Sequence, residues 1–228
     1  MISAPQPPQN KDGEPLKLRE QAYEGYTRSL LSQEIRPGQF ITQRQLVEIT
    51  GFPLGAIREL VPRLEAEGLI RTAPQRGMQV PQVDLNLVRN AFQFREFIEV
   101  AAVRLFAVNA DPALVARLRA SHEEIVARHR DGREEGLMQD AEAVDLHLHE
   151  AIIDALGNDI VSQAYRVNWI KIKLIRLAET RLYVPMIPSV IGEHMAIIEA
   201  LEARDPEAAA SAMHEHIEVA RRRAINMG

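Results

Sequence analysis

From residue 87 to residue 226, apolar residues recur every three or four positions in six consecutive segments. A spacing of three to four residues places side chains on one face of a helix, and the alternation typical of a strand is missing here. Helix-ending residues separate the segments, at Asp111-Pro112, Asp131-Gly132, Gly157-Asn158, Pro185 to Pro188 and Asp205-Pro206. This region is therefore predicted to be an all-α antiparallel helical bundle, with helices over 87–109, 112–130, 134–156, 158–180, 189–203 and 206–226.

The first third of the chain has a different order of elements. Helices are predicted over about 16–35, 42–50 and 54–67, because each apolar stripe stops at a turn residue such as Gly38, Gly51 or Gly68. Two short apolar runs, 69–71 and 78–80, flank a turn that contains Pro74 and Gly77, which predicts a β-hairpin. Three helices followed by a hairpin indicate a winged helix-turn-helix. The predicted fold class is mainly α: an N-terminal winged helix-turn-helix and a C-terminal helical bundle.

Composition divides the chain in the same way. We predict a disordered, proline-rich tail over 1–15, a winged-helix domain over 16–81, a linker over 82–86 and a helical domain over 87–228. The formal net charge of −5 is +1 over 1–82 and −6 over 83–228, so the acidity does not exclude DNA binding by the first domain. The absence of cysteine excludes disulfides and thiolate ligands. We recognise no secretory signal and no membrane-spanning stretch, which predicts a cytoplasmic protein without membrane contact.

Four residues of the predicted winged helix are candidates for contact with double-stranded DNA. Arg58 lies one turn into the second helix of the helix-turn-helix, which enters the major groove in this fold. Arg44 lies early in the preceding helix, where that helix crosses the DNA backbone, and Arg76 with Gly77 occupies the tip of the hairpin. Each arginine alone could be an ordinary solvated side chain. Their joint placement favours DNA contact.

Four residues of the predicted bundle are candidate metal ligands. Asp145 and His149 lie four residues apart on one face of a helix, and His194 and His216 lie in the apolar stripes of two others. An isolated inward histidine is more often a hydrogen-bonded core residue. Burying an unpaired carboxylate is costly, however, and a divalent cation would neutralise it and use the imidazoles as ligands. The pattern therefore predicts a metal site.

The first helix of the bundle offers a second polar group. Arg95 shares an inward stripe with Glu99, so it either forms an internal ion pair or receives the carboxylate of a ligand. Asn168 lies in the inward stripe of another helix and is a candidate for the same pocket. The remaining histidines are predicted to face solvent, namely His122, His129, His147 and His214.

These motifs carry a family resemblance. The run from Gly51 to Leu60, with Glu67-Gly68-Leu69 and Arg76-Gly77 after it, resembles the N-terminal domain of the GntR family. The residues Asp145 to His149, Glu193-His194 and Met213 to His216 resemble its FadR-type C-terminal (FCD) domain. The sequence departs from the family pattern at Pro53-Leu54, where the family has Ser-Arg, and at Pro62 inside the recognition helix.

The resemblance implies a function. It indicates a homodimeric transcription regulator, a repressor in the commoner family behaviour, that binds a palindromic operator and controls a metabolic operon. Its effector would be a small carboxylate or sugar acid bound at the metal, with zinc first and nickel, manganese or iron as alternatives. A metal-sensing regulator is the second interpretation, and a metal-dependent enzyme fused to a DNA-binding module is the third. No catalytic residue is predicted.

Overall fold

The computed structural model describes residues 18–178 and 184–226, in two compact units divided between Val83 and Asp84. The tail predicted over 1–15 lies outside the described residues. Each unit has its own apolar core, and each is described below by itself.

The first unit is a winged helix. Its elements are α1 (Leu18–Leu31), β1 (Phe40–Ile41), α2 (Gln43–Thr50), α3 (Leu54–Ala66), β2 (Arg71–Ala73) and β3 (Gly77–Gln79). The strands form an antiparallel sheet in the order β1-β3-β2. The predicted helices and hairpin are confirmed, with two differences. The helix predicted over 16–35 ends at Leu31, and the first hairpin strand covers Arg71–Ala73 rather than 69–71, because Leu69 and Ile70 are buried in the core.

Local sequence explains how α2 and α3 are joined. Thr42 caps α2: its side chain accepts from the backbone N–H of Gln45, whose own side chain accepts from the Thr42 N–H. The helix ends at Gly51, whose φ of 74° is left-handed. Pro53 begins α3 without a side-chain cap, and the helix runs on through Pro62. The turn of the helix-turn-helix thus depends on one cap and one glycine.

The second unit is a helical bundle. Its helices are α4 (Leu85–Asn109), α5 (Pro112–Arg130), α6 (Leu137–Asp154), α7 (Asp159–Ala178), α8 (Ile187–Glu202) and α9 (Pro206–Asn226), with a short 3-10 turn over Val184–Met186. The predicted all-α architecture is confirmed. The linker predicted over 82–86 is too long, because Asp84 caps α4 and residues 85 and 86 are already helical.

Helix α4 is the centre of the bundle, and it packs against α6, α7, α8 and α9. We expected no apolar stretch of membrane-spanning length. This expectation is wrong for Val184–Glu202, which by length and composition alone is apolar enough to cross a membrane. This segment packs against α5 and α9 and carries the buried His194, as a core helix of a bundle does.

Candidate metal centre and nucleic-acid interface

The four predicted ligands meet inside the bundle. Asp145 and His149 extend from α6, His194 from α8 and His216 from α9, and all four side chains are buried. One ligand atom from each lies within 4.8 Å of every other. The side chains that the sequence predicted to face inward on three helices therefore do come together.

The donor set fits a transition-metal ion. Ligand atoms that lie within 4.8 Å of one another would be able to hold one ion after small side-chain movements. Burial lowers the pKa of His149 and, more strongly, that of His216, which keeps both rings neutral and able to donate a lone pair. The buried Nε2 atoms of His194 and His216 form no hydrogen bond with any described residue. These two buried lone pairs fit the ligands of a cation.

Glu99 orients the first histidine. Its Oε2 atom lies 2.6 Å from His149 Nδ1, which fixes the proton on that nitrogen. The lone pair of Nε2, which lies 3.3 Å from Arg95 Nη2, would be the one offered to a metal. Arg95 pairs with the same carboxylate, at 2.5 Å between Nε and Oε1. Burial alone would raise the pKa of Glu99, but the Arg95 guanidinium and His149 lower it to about 2. Glu99 is therefore a carboxylate that holds His149 in one orientation.

His122 orients the second histidine. It is fully buried on α5, so the prediction that it faces solvent is wrong. Its Nδ1 lies 2.6 Å from the carbonyl of Leu118, and its Nε2 lies 3.1 Å from His194 Nδ1. Because a carbonyl can only accept, Nδ1 of His122 donates its hydrogen to Leu118. Burial and His194 lower the pKa of His122 to about 4, so the ring is neutral and its Nε2 accepts from His194 Nδ1. This relay directs His194 Nε2 toward Asp145 Oδ1, 3.3 Å away.

The remaining two ligands also have charged partners. Glu193 accepts from His216 Nδ1 at 3.0 Å and is itself paired with Arg223. Arg176 donates to Asp145 Oδ2 at 2.7 Å. Burial alone would raise the pKa of Asp145, but the Arg176 guanidinium and His194 hold it well below its usual range. Every candidate ligand is thus positioned by a group on a different helix.

Arg95 and Asn168, the predicted effector contacts, are both buried. The ion pair of Arg95 with Glu99 is present, yet the two N–H groups of its Nη1 form no hydrogen bond with a described residue. Asn168 donates to the carbonyl of Ala91 at 3.1 Å, which ties α7 to α4. The indole N–H of Trp169 is buried and likewise has no described acceptor.

A small cavity adjoins the centre. Its volume is about 30 Å³, room for about one water molecule. It is lined by apolar side chains and by two arginines beside the third histidine, namely Phe92, Met186, Val190, Arg176, Arg223 and His216. Two guanidiniums, which are already paired with Asp145 and Glu193, therefore border this opening.

The other three histidines lie away from the four ligands. His147 and His214 are exposed, as predicted, and His214 pairs with Glu96 at 3.3 Å. His129 is half-buried rather than fully solvent-facing, because its Nδ1 is covered. None of the three belongs to the group of ligands found among the described residues.

The candidate DNA-binding residues all lie on the surface of the winged helix. Arg44 is 90% exposed in its side chain and makes an ion pair with Glu48 at 3.4 Å. Arg58 is exposed on α3 and has no ion pair among the described residues, so its guanidinium is available to a base edge or a phosphate. The Arg76 guanidinium lies over the ring of Phe40, 4.7 Å from its centroid, at the tip of the hairpin.

Gly77 has a structural reason for being glycine. Its φ is +88°, and a Cβ atom there would lie 2.8 Å from the carbonyl oxygen of Ile41. The hairpin can pack against β1 only because this position has no side chain.

Sequence reasoning missed His122, Glu193, Arg176 and Arg223. His122 could have been found, because it falls in the apolar stripe of Val115, Leu118 and Ile125. The three charged residues are only partly buried, and a charged side chain at the edge of an apolar stripe is usually solvated, so periodicity gave no indication of their roles.

Comparisons with known proteins agree with both units. Residues 18–80 match the family described as bacterial regulatory proteins, gntR family, and residues 90–219 match the FCD domain. A helix-turn-helix regulator in an unstable DNA locus of Streptomyces ambofaciens is 27% identical over 82% of this chain and 77% of its own length. The transcriptional repressor RspR of Escherichia coli is 23% identical over 88% and 86%. The structure of Escherichia coli McbR/YncC has the same fold, with a TM-score of 0.72 at 21% identity, covering 90% of this chain and 95% of that one.

Proposed function

Because the chain belongs to the GntR family of bacterial regulatory proteins and carries an FCD domain, we propose that it represses a metabolic operon and responds to a small carboxylate bound at a metal centre. The family itself makes the chain a DNA-binding transcription regulator, and both matched domains are those of regulators rather than enzymes. The repressor role is supported by the name of the relative RspR. We place its action in the cytoplasm.

The observation that carries the proposal is the buried set of Asp145, His149, His194 and His216. Three imidazoles and one carboxylate are ligands that zinc, nickel, manganese and iron(II) accept, and zinc is the first choice for a nitrogen-rich set. The ion would neutralise the buried aspartate and act as a Lewis acid toward an anionic ligand. Glu99, His122 and Glu193 hold the three rings in the orientation that this requires.

The same surroundings support an acidic effector. The free Nη1 of Arg95 and the guanidiniums of Arg176 and Arg223 lie on or near the centre, so a carboxylate would find charge-assisted donors there. We propose that Arg95 receives the carboxylate, while Asn168 holds α7 against α4 around it. A cavity of about 30 Å³ is smaller than any organic acid, so binding would have to move the side chains that line it.

That movement would provide the link to DNA. A ligand shifts a conformational equilibrium only by binding one arrangement more tightly than the other. We propose that the regulator is a homodimer whose two winged helices bind the halves of a palindromic operator, with Arg44, Arg58, Arg76 and Gly77 at the DNA. Effector binding would change the arrangement of the helical domains and hence the spacing of the winged helices.

The test is a thermal-shift screen of organic and sugar acids on the zinc-loaded protein. An acid that binds the native state should raise the melting temperature by mass action, and Arg95→Ala should abolish the rise. Glu96, which is half-buried on the same helix and outside the centre, provides the matched control Glu96→Ala. If no acid raises the melting temperature, or if Arg95→Ala responds like the control, the effector site is wrong.

Measurements of operator binding then distinguish a regulator that responds to an acid from one that responds to the metal itself. For a metabolite-responsive regulator, an acid that stabilises the protein should change its affinity for operator DNA while zinc stays bound. If adding and removing zinc alone switches operator affinity and no acid does, the chain is a metal sensor instead.

A further inference from the structure

The recognition helix α3 begins with a run of apolar side chains. Over residues 52–57 the sequence is Phe-Pro-Leu-Gly-Ala-Ile, in which no side chain can donate or accept a hydrogen bond. Pro53 occupies the N-cap position and makes no side-chain cap hydrogen bond. In a helix-turn-helix the first residues of this helix meet the base edges of the major groove. Here the start of the helix therefore has no side chain that could read a base by hydrogen bonding.

Leu54 is the large side chain of this run that is exposed. It is the first residue of α3 and is 40% exposed, whereas Ala56 and Ile57 are buried in the core of the winged helix. The next residue, Gly55, has no side chain, and a Cβ atom there would meet no other atom within 4 Å. Arg58 lies one turn after Leu54 and is exposed on the same face of the helix. Leu54 is thus free to contact whatever Arg58 faces.

An apolar side chain finds one favourable partner at a base edge in the major groove. Guanine, adenine and cytosine present donors and acceptors there, and a leucine placed against them would displace their water without replacing its hydrogen bonds. Thymine also presents a C5-methyl group, with which an apolar side chain makes favourable contact. Removing one such group from water corresponds to a gain of about 4-fold in affinity.

We propose that Leu54 is a specificity-determining residue, which selects a thymine in each half of the operator by contact with the methyl group of that base. Arg58 would contact the same stretch of the groove, because four residues advance a helix by about 6 Å, or roughly two base-pair steps. The family pattern has arginine at position 54, and arginine pairs with guanine, so this position of the operator should differ from one read by that arginine. The proposal rests on the placement of α3 at the DNA in the proposed function.

The test compares operators with and without single methyl groups. An operator is obtained by in-vitro selection from randomised duplexes with the full-length, zinc-loaded protein. Each thymine is then replaced in turn by deoxyuridine, which lacks only the methyl group, and affinity is measured by fluorescence anisotropy at one salt concentration. With the wild type, one such replacement in each half-site should weaken binding by about 4-fold. Leu54→Ala should bind the thymine and deoxyuridine forms of that site equally.

Leu18→Ala is the matched control. Leu18 is a 49% exposed leucine of the same domain that lies on α1, so this variant should keep the wild-type response to deoxyuridine. An unchanged melting temperature shows that Leu54→Ala is folded. If no replacement by deoxyuridine weakens the wild type, or if Leu54→Ala loses as much affinity as the wild type at every thymine, the proposal is overturned.

A second variant changes the preferred base instead of removing a contact. Repeating the selection with Leu54→Arg should replace the thymine by guanine, and an unchanged base preference would contradict the assignment. If the wild type selects no sequence, or if Arg58→Ala leaves operator affinity unchanged, the placement of α3 at the DNA is refuted together with this proposal. If Arg58→Ala weakens binding and no methyl group matters, the role of Leu54 alone is refuted. None of these measurements includes an acid, so they are independent of the thermal-shift screen.

Discussion

Replacing His122 by phenylalanine tests whether the metal centre depends on its outer partners. The substitution keeps a ring of similar size in a fully buried position and removes the nitrogen that accepts from His194 Nδ1 over 3.1 Å. Leaving a buried donor without a partner costs about 1–3 kcal/mol. The cost falls on the metal-bound state above all, because the ring of a ligating histidine is polarised and must stay in one orientation.

The expected result is a loss of zinc affinity of about 10- to 100-fold, the range found for outer partners of metal ligands. This loss corresponds to about 1.4–2.7 kcal/mol, which agrees with the cost of the broken hydrogen bond. The measurement is a competitive titration of zinc against a chromogenic chelator, with folding checked by circular dichroism.

Two variants accompany His122→Phe. His122→Gln keeps an acceptor and should recover part of the affinity. His147→Phe makes the same change at an exposed position two residues from Asp145 and should leave the affinity unchanged. A folded His122→Phe protein that binds zinc as tightly as the wild type would refute the relay from the Leu118 carbonyl through His122 to His194.

Four further predictions concern single features. Chelation of the metal should lower the melting temperature, because a ligand at 100 times its Kd stabilises the native state by about 2.7 kcal/mol. Zinc should restore the melting temperature in the wild type but not in His194→Ala, and equal melting of the apo and loaded proteins would contradict this. Arg58→Ala should weaken operator binding by about 1–3 kcal/mol in fluorescence anisotropy and leave the melting temperature unchanged, because the side chain is exposed. Gly77→Ala should destabilise the winged helix by roughly 1–3 kcal/mol, given the +88° φ and the 2.8 Å approach to Ile41, and an unchanged denaturation midpoint would exclude that strain. Thr42→Ala should cost about 1 kcal/mol in the same denaturation experiment, whereas Thr42→Ser, which keeps the capping hydroxyl, should cost much less.

The sequence could predict the elements of this fold because its local patterns are strong. Six amphipathic stripes with sharp breaks correspond to α4 through α9, and Gly51 and Thr42 mark the ends of α2. Strand β1 was not predicted. It has two residues, and its ladder is formed with Met78 and Gln79, far along the chain, so no local pattern reveals it.

For the metal centre, the apolar periodicity of the sequence was enough to predict the four ligands, but it did not predict the side chains that position them. A stripe tells which face of its own helix a residue occupies, so Asp145, His149, His194 and His216 could be recognised as inward-facing from the sequence. It does not tell which helix lies opposite. His122 is 72 residues from His194, and Arg176 is 31 residues from Asp145. Their roles arise only when α5 packs on α8 and α7 on α6, because hydrogen bonds reach about 3 Å and therefore depend on the packed arrangement of the helices.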